Sequence, residues 1–258
     1  MKKSFFTFTL GLMVCSQTIA ETIFLAGATG VVGEPLSKAL VKEGYQVYGT
    51  TRSPERAKQL EQMGVIPVVL DVFNAQDVDK AILAVKPDVV INQVSSLPKG
   101  LKEEEMPEGL KRDAKVRVEG TKNLIAAAEK AGVKKFINQS FLFYAPTKKQ
   151  INENDVLVNE QDPVYGESVK AYKELESRTL AGNFTPVVLR FGWLYGGKSG
   201  FTQPVEGYPS LNVDLAVDAV IQAVKSPIQG LYNIAEESPM IDMSKFNTVA
   251  PNWQGNKK

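Results

Sequence analysis

"TIFLAGATGVVGEPLSKAL", residues 22–40, decides how the rest of the chain is read. Thr22 to Ala26 is a short apolar run of the kind that forms a buried strand. It passes into Gly27-Ala28-Thr29-Gly30-Val31-Val32-Gly33 and then into a stretch of helical period, Glu34 to Glu43. Val32, Leu36, Ala39 and Leu40 share one face of that helix, and Gly44 stops it. Glycines at this spacing let a backbone turn tightly and come against a diphosphate. The helix start adds unpaired N–H groups and the positive end of its dipole. A tight turn without a ligand does not require three glycines so placed. Gly27, Ala28, Thr29, Gly30, Val31, Val32 and Gly33 therefore read as a dinucleotide-binding turn.

Outward from this unit, short β-branched runs keep alternating with helical stretches. Strands are expected at 46–50, 65–70, 88–92, 136–139, 187–190 and 231–234. Helices are expected at 54–63 and 77–85, in one long piece ending at Ala131, and at 168–181 and 213–225. The pattern is that of βαβ units, so the fold class is α/β, a doubly wound parallel sheet (Rossmann fold). One domain spans 21–258, with a small C-terminal substrate cap over about 192–258; its Pro- and Asn-containing tail after Ser238 is expected to be loosely ordered.

The end of the second strand bears on which cofactor is used. A site for the unphosphorylated dinucleotide usually places Asp or Glu there for the ribose 2′-hydroxyl. In "VYGTTRSPER", residues 47–56, Thr50 and Thr51 stand in that place and Arg52 follows. Thr51, Arg52 and Ser53, joined by Arg56, suit a 2′-phosphate, because the guanidinium is permanently charged and forked. The expected cofactor is NADP, with NAD the weaker alternative.

Composition narrows the chemistry. With 43% apolar and 23% charged residues, the 258-residue chain is an ordinary globule. A formal charge of +1 gives no reason to expect a nucleic-acid partner. There is no histidine, and the single cysteine is Cys15. A Ser-His-Asp triad, a histidine base, thiol catalysis and His- or Cys-ligated metals are all excluded, and no metal site is expected. Residues 1–20 read as a signal peptide: Lys2 and Lys3 lead an apolar core, and Thr18-Ile19-Ala20 offers a cleavage site. The core is too short for an integral membrane span. The expectation is an exported protein, periplasmic or membrane-associated, if this leader is cleaved, and a cytoplasmic one otherwise.

A second stretch, "VYGESVKAYKELE" at 164–176, places Tyr165 and Lys170 at the start of a helix. Such a pair can act as an acid and its tuning cation on a carbonyl or alcohol. Here the spacing is i+5, which puts the two about 140° apart if both are helical. They converge only if Tyr165 stands in the loop before the helix.

The glycine pattern, "LDVF" at 70–73, "PDVVINQVSSLP" at 87–98, "RVEGTKNLIAAAEKAGVKKFINQSF" at 117–141 and "VVLRFGWLYG" at 187–196 together resemble the NAD(P)-dependent epimerase/dehydratase group of the short-chain dehydrogenase/reductase superfamily, in its atypical branch. The resemblance covers roughly 22–235. It implies that Asp71 and Val72 flank the adenine and that Asn92, Gln93 and Val94 pass under the adenosine and ribose. It also implies a catalytic set of a serine after the fifth strand, matched by Ser140, then Tyr165 and Lys170. Arg190 and Tyr195 are candidates either to touch nicotinamide or substrate or to serve packing, and Trp193, Phe201 and Tyr208 to line a substrate pocket.

The function this implies is an NADP-dependent oxidoreductase or epimerase/dehydratase-like enzyme acting on a small carbonyl or sugar-derived substrate. The alternative is a non-catalytic NAD(P)-binding sensor or assembly module with a degenerate Tyr/Lys site. Oligomeric state is not legible.

Overall fold

The computed structural model describes residues 20–143, 150–155 and 158–256. Residues 1–19, the body of the expected leader, lie outside them. In chain order the elements are β1 (Thr22–Ala26), α1 (Gly33–Lys42), β2 (Gln46–Thr51), α2 (Pro54–Gln62), β3 (Ile66–Val69), α3 (Ala75–Val85) and β4 (Val89–Asn92). Then come α4 (Met106–Lys115), α5 (Thr121–Ala131), β5 (Lys135–Phe141), α6 (Gly166–Leu180), β6 (Thr185–Phe191), β7 (Trp193–Tyr195) and β8 (Ser210–Asn212). Last are α7 (Val213–Lys225), β9 (Gly230–Ile234) and α8 (Ser244–Val249).

Seven strands form one sheet in the order β3-β2-β1-β4-β5-β6-β9, and every pairing is parallel. Parallel strands need crossovers, and the crossovers put helices on both faces. That is why β1 alternates between two cores rather than between core and solvent. Ile23 and Leu25 join Leu36, Leu40 and Val220 on one side. Phe24 and Ala26 join Val78, Leu124 and Phe136 on the other. From β1 the chain winds outward to β2 and β3, then crosses back to β4 on the opposite side of β1. The winding reverses between β1 and β4, the point at which doubly wound sheets place a ligand crevice above the C-terminal strand ends.

Three expectations change. The long helix ending at Ala131 is two helices, α4 and α5, joined by a π-helical turn over Val116–Gly120. The extra residue in that turn points Val116, Arg117 and Gly120 inward together. The tail after Ser238 is packed rather than loose: Phe246 is fully buried and Trp253 is 1% exposed. Irregularly spaced apolar anchors, not helical period, hold it down. Finally, β7 and β8, which carry the Gly-rich segment after β6, form a separate parallel pair that the sequence pattern did not announce.

Candidate functional site

The turn after β1 is fixed by close backbone approaches. Gly27 has φ +83°, and a Cβ there would stand 2.8 Å from the carbonyl of Gln93. A Cβ on Gly33 would come 2.0 Å from Gly27 O, which is backbone and cannot yield. Gly27 N donates to Thr50 Oγ1 at 2.9 Å, and Gly30 N donates to Gly27 O at 3.0 Å. Ser37 Oγ donates to Ala28 O from within α1. Ala28 and Val32 are buried, Thr29 is half-buried, and Gly30 and Val31 are exposed. The turn thus keeps an open side at residues 29–31 beside the start of α1. Thr50, which the sequence offered only as a missing acid, is the residue that holds it.

At the end of β2, Thr51 is buried and its Oγ1 accepts from Ser53 N at 3.2 Å. Ser53 Oγ caps α2 by accepting from Arg56 N and donates to Glu55 Oε2. Arg52 is exposed and Arg56 half-buried beside it. No carboxylate occupies the strand end itself, although Glu55 stands in the first turn of α2.

The floor of the crevice comes from β3 and β4. Asp71 is exposed and accepts from Phe73 N, while Val72 is buried against Gly120. Asn92 is committed to structure: its Nδ2 donates to Thr121 Oγ1 and its Oδ1 accepts from Val94 N, both at 3.1 Å. Gln93 is different. It is 4% exposed, and neither amide atom has a partner among the described residues. Buried amides are normally satisfied. An orphan here, next to a backbone cradle that a single Cβ would fill, fits a polar ligand over the β1 and β4 ends.

The three expected catalytic residues do not converge. Strand alternation along β5 turns Asn138 and Ser140 toward α6. Ser140 is fully buried, and its hydroxyl donates to Glu176 Oε1 at 2.6 Å. Glu176 is also gripped by Arg190, Nε to Oε1 and Nη2 to Oε2, each at 2.7 Å. Ser140 and Arg190 are therefore parts of an internal ion-pair network, which corrects the expected place of Ser140 at the substrate. Lys170 lies on the solvent face of α6, whose buried face carries Ser168, Val169, Tyr172 and Leu175. Although Tyr165 stands just before the helix, no hydrogen bond joins it to Lys170 among the described residues, so the expected pair is not formed. Tyr195 donates to Glu236 Oε1 at 2.9 Å.

Tyr165 stands as the N-cap residue of α6, held by Asp162 Oδ1, which accepts from its N–H at 2.8 Å. α6 links two parallel strands, so its start lies at the C-terminal end of the sheet, where the crevice opens. The ring is half-buried against Phe143, 6.1 Å between centroids, and its hydroxyl has no hydrogen-bond partner among the described residues. Burial first, then the nearby Tyr208 and Asp162, push its pKa up. Around it runs an aromatic patch: Phe141 meets Trp193 at 5.4 Å, and Trp193 meets Tyr208 at 5.1 Å and Phe201 at 6.2 Å.

Behind that patch the structure places a buried group that sequence reasoning missed. Arg117, 2% exposed, donates through Nε to Asp113 Oδ2 at 3.2 Å and lies 4.7 Å from the centroid of the Tyr172 ring. Asp113 also accepts from Tyr172 Oη, from Ser95 Oγ and from Ser96 N. One carboxylate thus ties α4, α6 and the loop after β4 together. The only advance sign was a charged residue at each end of "DAKVR", residues 113–117, in an otherwise helical stretch.

Comparison with known proteins bears on the family and the fold. A family model described as NAD(P)H-binding matches residues 27–214. A Streptomyces protein described as a 3-diazoavenalumate denitrifying reductase is 32% identical over 84% of this chain and 76% of its own length. A 3-beta-hydroxysteroid dehydrogenase of Mycolicibacterium neoaurum is 28% identical over 60% of this chain and 38% of its own. Among solved structures, UDP-glucose 4-epimerase of Thermus thermophilus in complex with NAD superposes with a TM-score of 0.70, covering 91% of this chain and 94% of that one. UDP-glucuronic acid 4-epimerase of Bacillus cereus, with UDP-glucuronic acid and NAD, gives 0.71 over 89% and 93%. Both structures are 16% identical to this chain, so the likeness is one of fold.

Proposed function

The chain belongs to the NAD(P)H-binding family and is an oxidoreductase- or epimerase-like enzyme; from that premise we propose that it is an NADP-dependent reductase of small, apolar carbonyl compounds, with Tyr165 as proton donor. The observation that carries this reading is the Tyr165 hydroxyl, half-buried among aromatic rings at the crevice end of α6 and without a partner among the described residues. The bound cofactor supplies the hydride. Tyr165 gives its proton to the carbonyl oxygen, and its partial exposure lets solvent restore it. A phenol is protonated through the neutral range, as a proton donor must be; burial pushes the Tyr165 pKa up, so the push for transfer must come from the charge that develops on the carbonyl oxygen.

Phe141, Trp193, Phe201 and Tyr208 give the substrate side apolar walls, which favour a neutral, flat molecule over a nucleotide sugar. The preference for NADP rests on Arg52 and Ser53 and on Thr50 and Thr51 where an acid would stand. Kinship with a protein named as a reductase weighs against the non-catalytic module. The leader at 1–20 supports export as part of the same proposal; a reporter fused to it tests that. No helix among the described residues is long and apolar enough to cross a membrane.

The deciding experiment follows NADPH oxidation with a panel of aromatic and aliphatic ketones and aldehydes, set beside UDP-sugars. Tyr165→Phe is expected to lower kcat by about 100-fold or more while NADPH affinity stays within about twofold. Unchanged turnover in that variant, or activity on UDP-sugars alone, would overturn the assignment.

A further inference from the structure

Glu34 occupies the first turn of α1, where free N–H groups and the helix dipole favour an anion. It is also the immediate neighbour of Gly33, on the turn that would carry a diphosphate. Two anions on one helix start repel each other unless a cation is shared between them. The fold brings that cation from far along the chain: Lys198 Nζ lies 2.8 Å from Glu34 Oε2, while Lys38 approaches the other oxygen at 3.4 Å. The hydrogen bond from Lys198 is the first cause holding the Glu34 carboxyl below its ordinary range.

Lys198 sits on a built loop. Gly196 N donates to Phe201 O at 2.8 Å, and Ser199 Oγ donates to the same carbonyl at 3.1 Å, closing residues 196–201 on themselves. Gly196, Gly197 and Gly200 have φ of +79°, +53° and +104°, so the course of the loop depends on glycine. At its far end Gly200 lies so near Gly100 that a Cβ would be 2.9 Å from the Gly100 carbonyl. Gly100 belongs to the segment after β4, which leads to α4. One loop therefore touches both walls of the crevice, the start of α1 through Lys198 and the segment after β4 through Gly200.

We propose that residues 196–201 form a strap across the cofactor and that Lys198 is its diphosphate-binding residue, with Glu34 holding the ammonium until the diphosphate competes for it. This rests on the placement of the dinucleotide on the turn after β1. Lys198 is 76% exposed on its side chain and, among the described residues, pairs with Glu34 alone, so it can swing between the two anions without disturbing the core. Release of the cofactor then requires the strap to lift, and the ammonium returns to Glu34.

The test uses the full chain, with calorimetry against ADP-ribose and AMP and stopped-flow release of NADPH. Lys198→Met is expected to weaken ADP-ribose by about tenfold and to speed NADPH release, with AMP, which lacks the diphosphate, unaffected. Glu34→Gln is expected to act in the opposite sense, tightening ADP-ribose and slowing release. An ion pair that merely braces the loop would move both variants the same way, and that result, or equal weakening of AMP, overturns the proposal. If the wild type binds no nicotinamide nucleotide at all, the cofactor reading itself falls. If it binds and Lys198→Met matches it, only the strap does.

Discussion

Two tyrosines on α6, Tyr165 and Tyr172, show how placement divides labour between like side chains. Tyr165 caps the helix with its hydroxyl unpaired among the described residues; Tyr172 is buried, donates to Asp113 and stacks on Arg117. The pKa of Tyr172 is pushed far up, first by burial, with the Arg117 charge opposing and the Asp113 charge adding to the shift. The sign of the consequence follows from linkage. A folded-state pKa above the unfolded value of about 10 means that the unfolded chain releases its proton first, so stability present below that pH is lost as pH rises beyond it. Thermal melts from about pH 7 to about pH 11 should therefore show a steep alkaline limb that Tyr172→Phe makes shallower. The same variant should lose about 1–3 kcal/mol at neutral pH, because Asp113 gives up a donor inside the protein. Parallel alkaline limbs in the two proteins would count against this account.

At the scale of elements, the π-helical turn between α4 and α5 does what a regular helix cannot. It admits Arg117 to the interior and sets Gly120 against Val72, where a Cβ would come 2.9 Å from Val72 Cγ2. Removing the cation alone strands a buried carboxylate. Arg117→Met should cost about 3–5 kcal/mol in denaturant unfolding, and adding Asp113→Asn to it should recover part of that loss. A double variant no more stable than Arg117→Met would show that the carboxylate is not the source of the penalty. The βα units themselves were legible in sequence because their signals are local: periods of two and 3.6, and stops such as Gly44. The i+5 spacing of Tyr165 and Lys170 was legible too, but it left open whether the two would meet, because that turned on where the helix begins. What escaped was the pairing of distant groups. Asp113 with Tyr172, Glu34 with Lys198 and Ser140 with Glu176 are fixed by tertiary packing, and no residue period encodes them. Ser140 matched a motif, yet strand alternation gave its side chain to α6.

At the scale of the whole molecule, the C-terminal tail closes one layer of the fold. Ile151 and Ile241 form a bridge, and Phe246 packs edge-on to both Tyr232 of β9 and Trp253, at 5.8 and 5.5 Å. Trp253 Nε1 donates to Leu215 O at 3.0 Å, and Gln254 N donates to Asp218 Oδ2, so the last described turn is fastened to α7. α7 in turn packs on α1, and its N-cap Asn212 lies beside Gly196 of the strap. Trp253→Ala removes a fully enclosed ring and should cost about 3–5 kcal/mol, a fall in Tm on the order of 10 °C for a domain of this size. The loss sits behind α7 and touches neither the turn after β1 nor Tyr165. Below its lowered Tm the variant should therefore bind NADPH as the parent does and turn over at the parent rate. A Tm within about 2 °C of the parent would mean that the tail is not part of the cooperative unit. A normal Tm drop with weakened NADPH binding would mean instead that the α7 layer also sets the position of the strap.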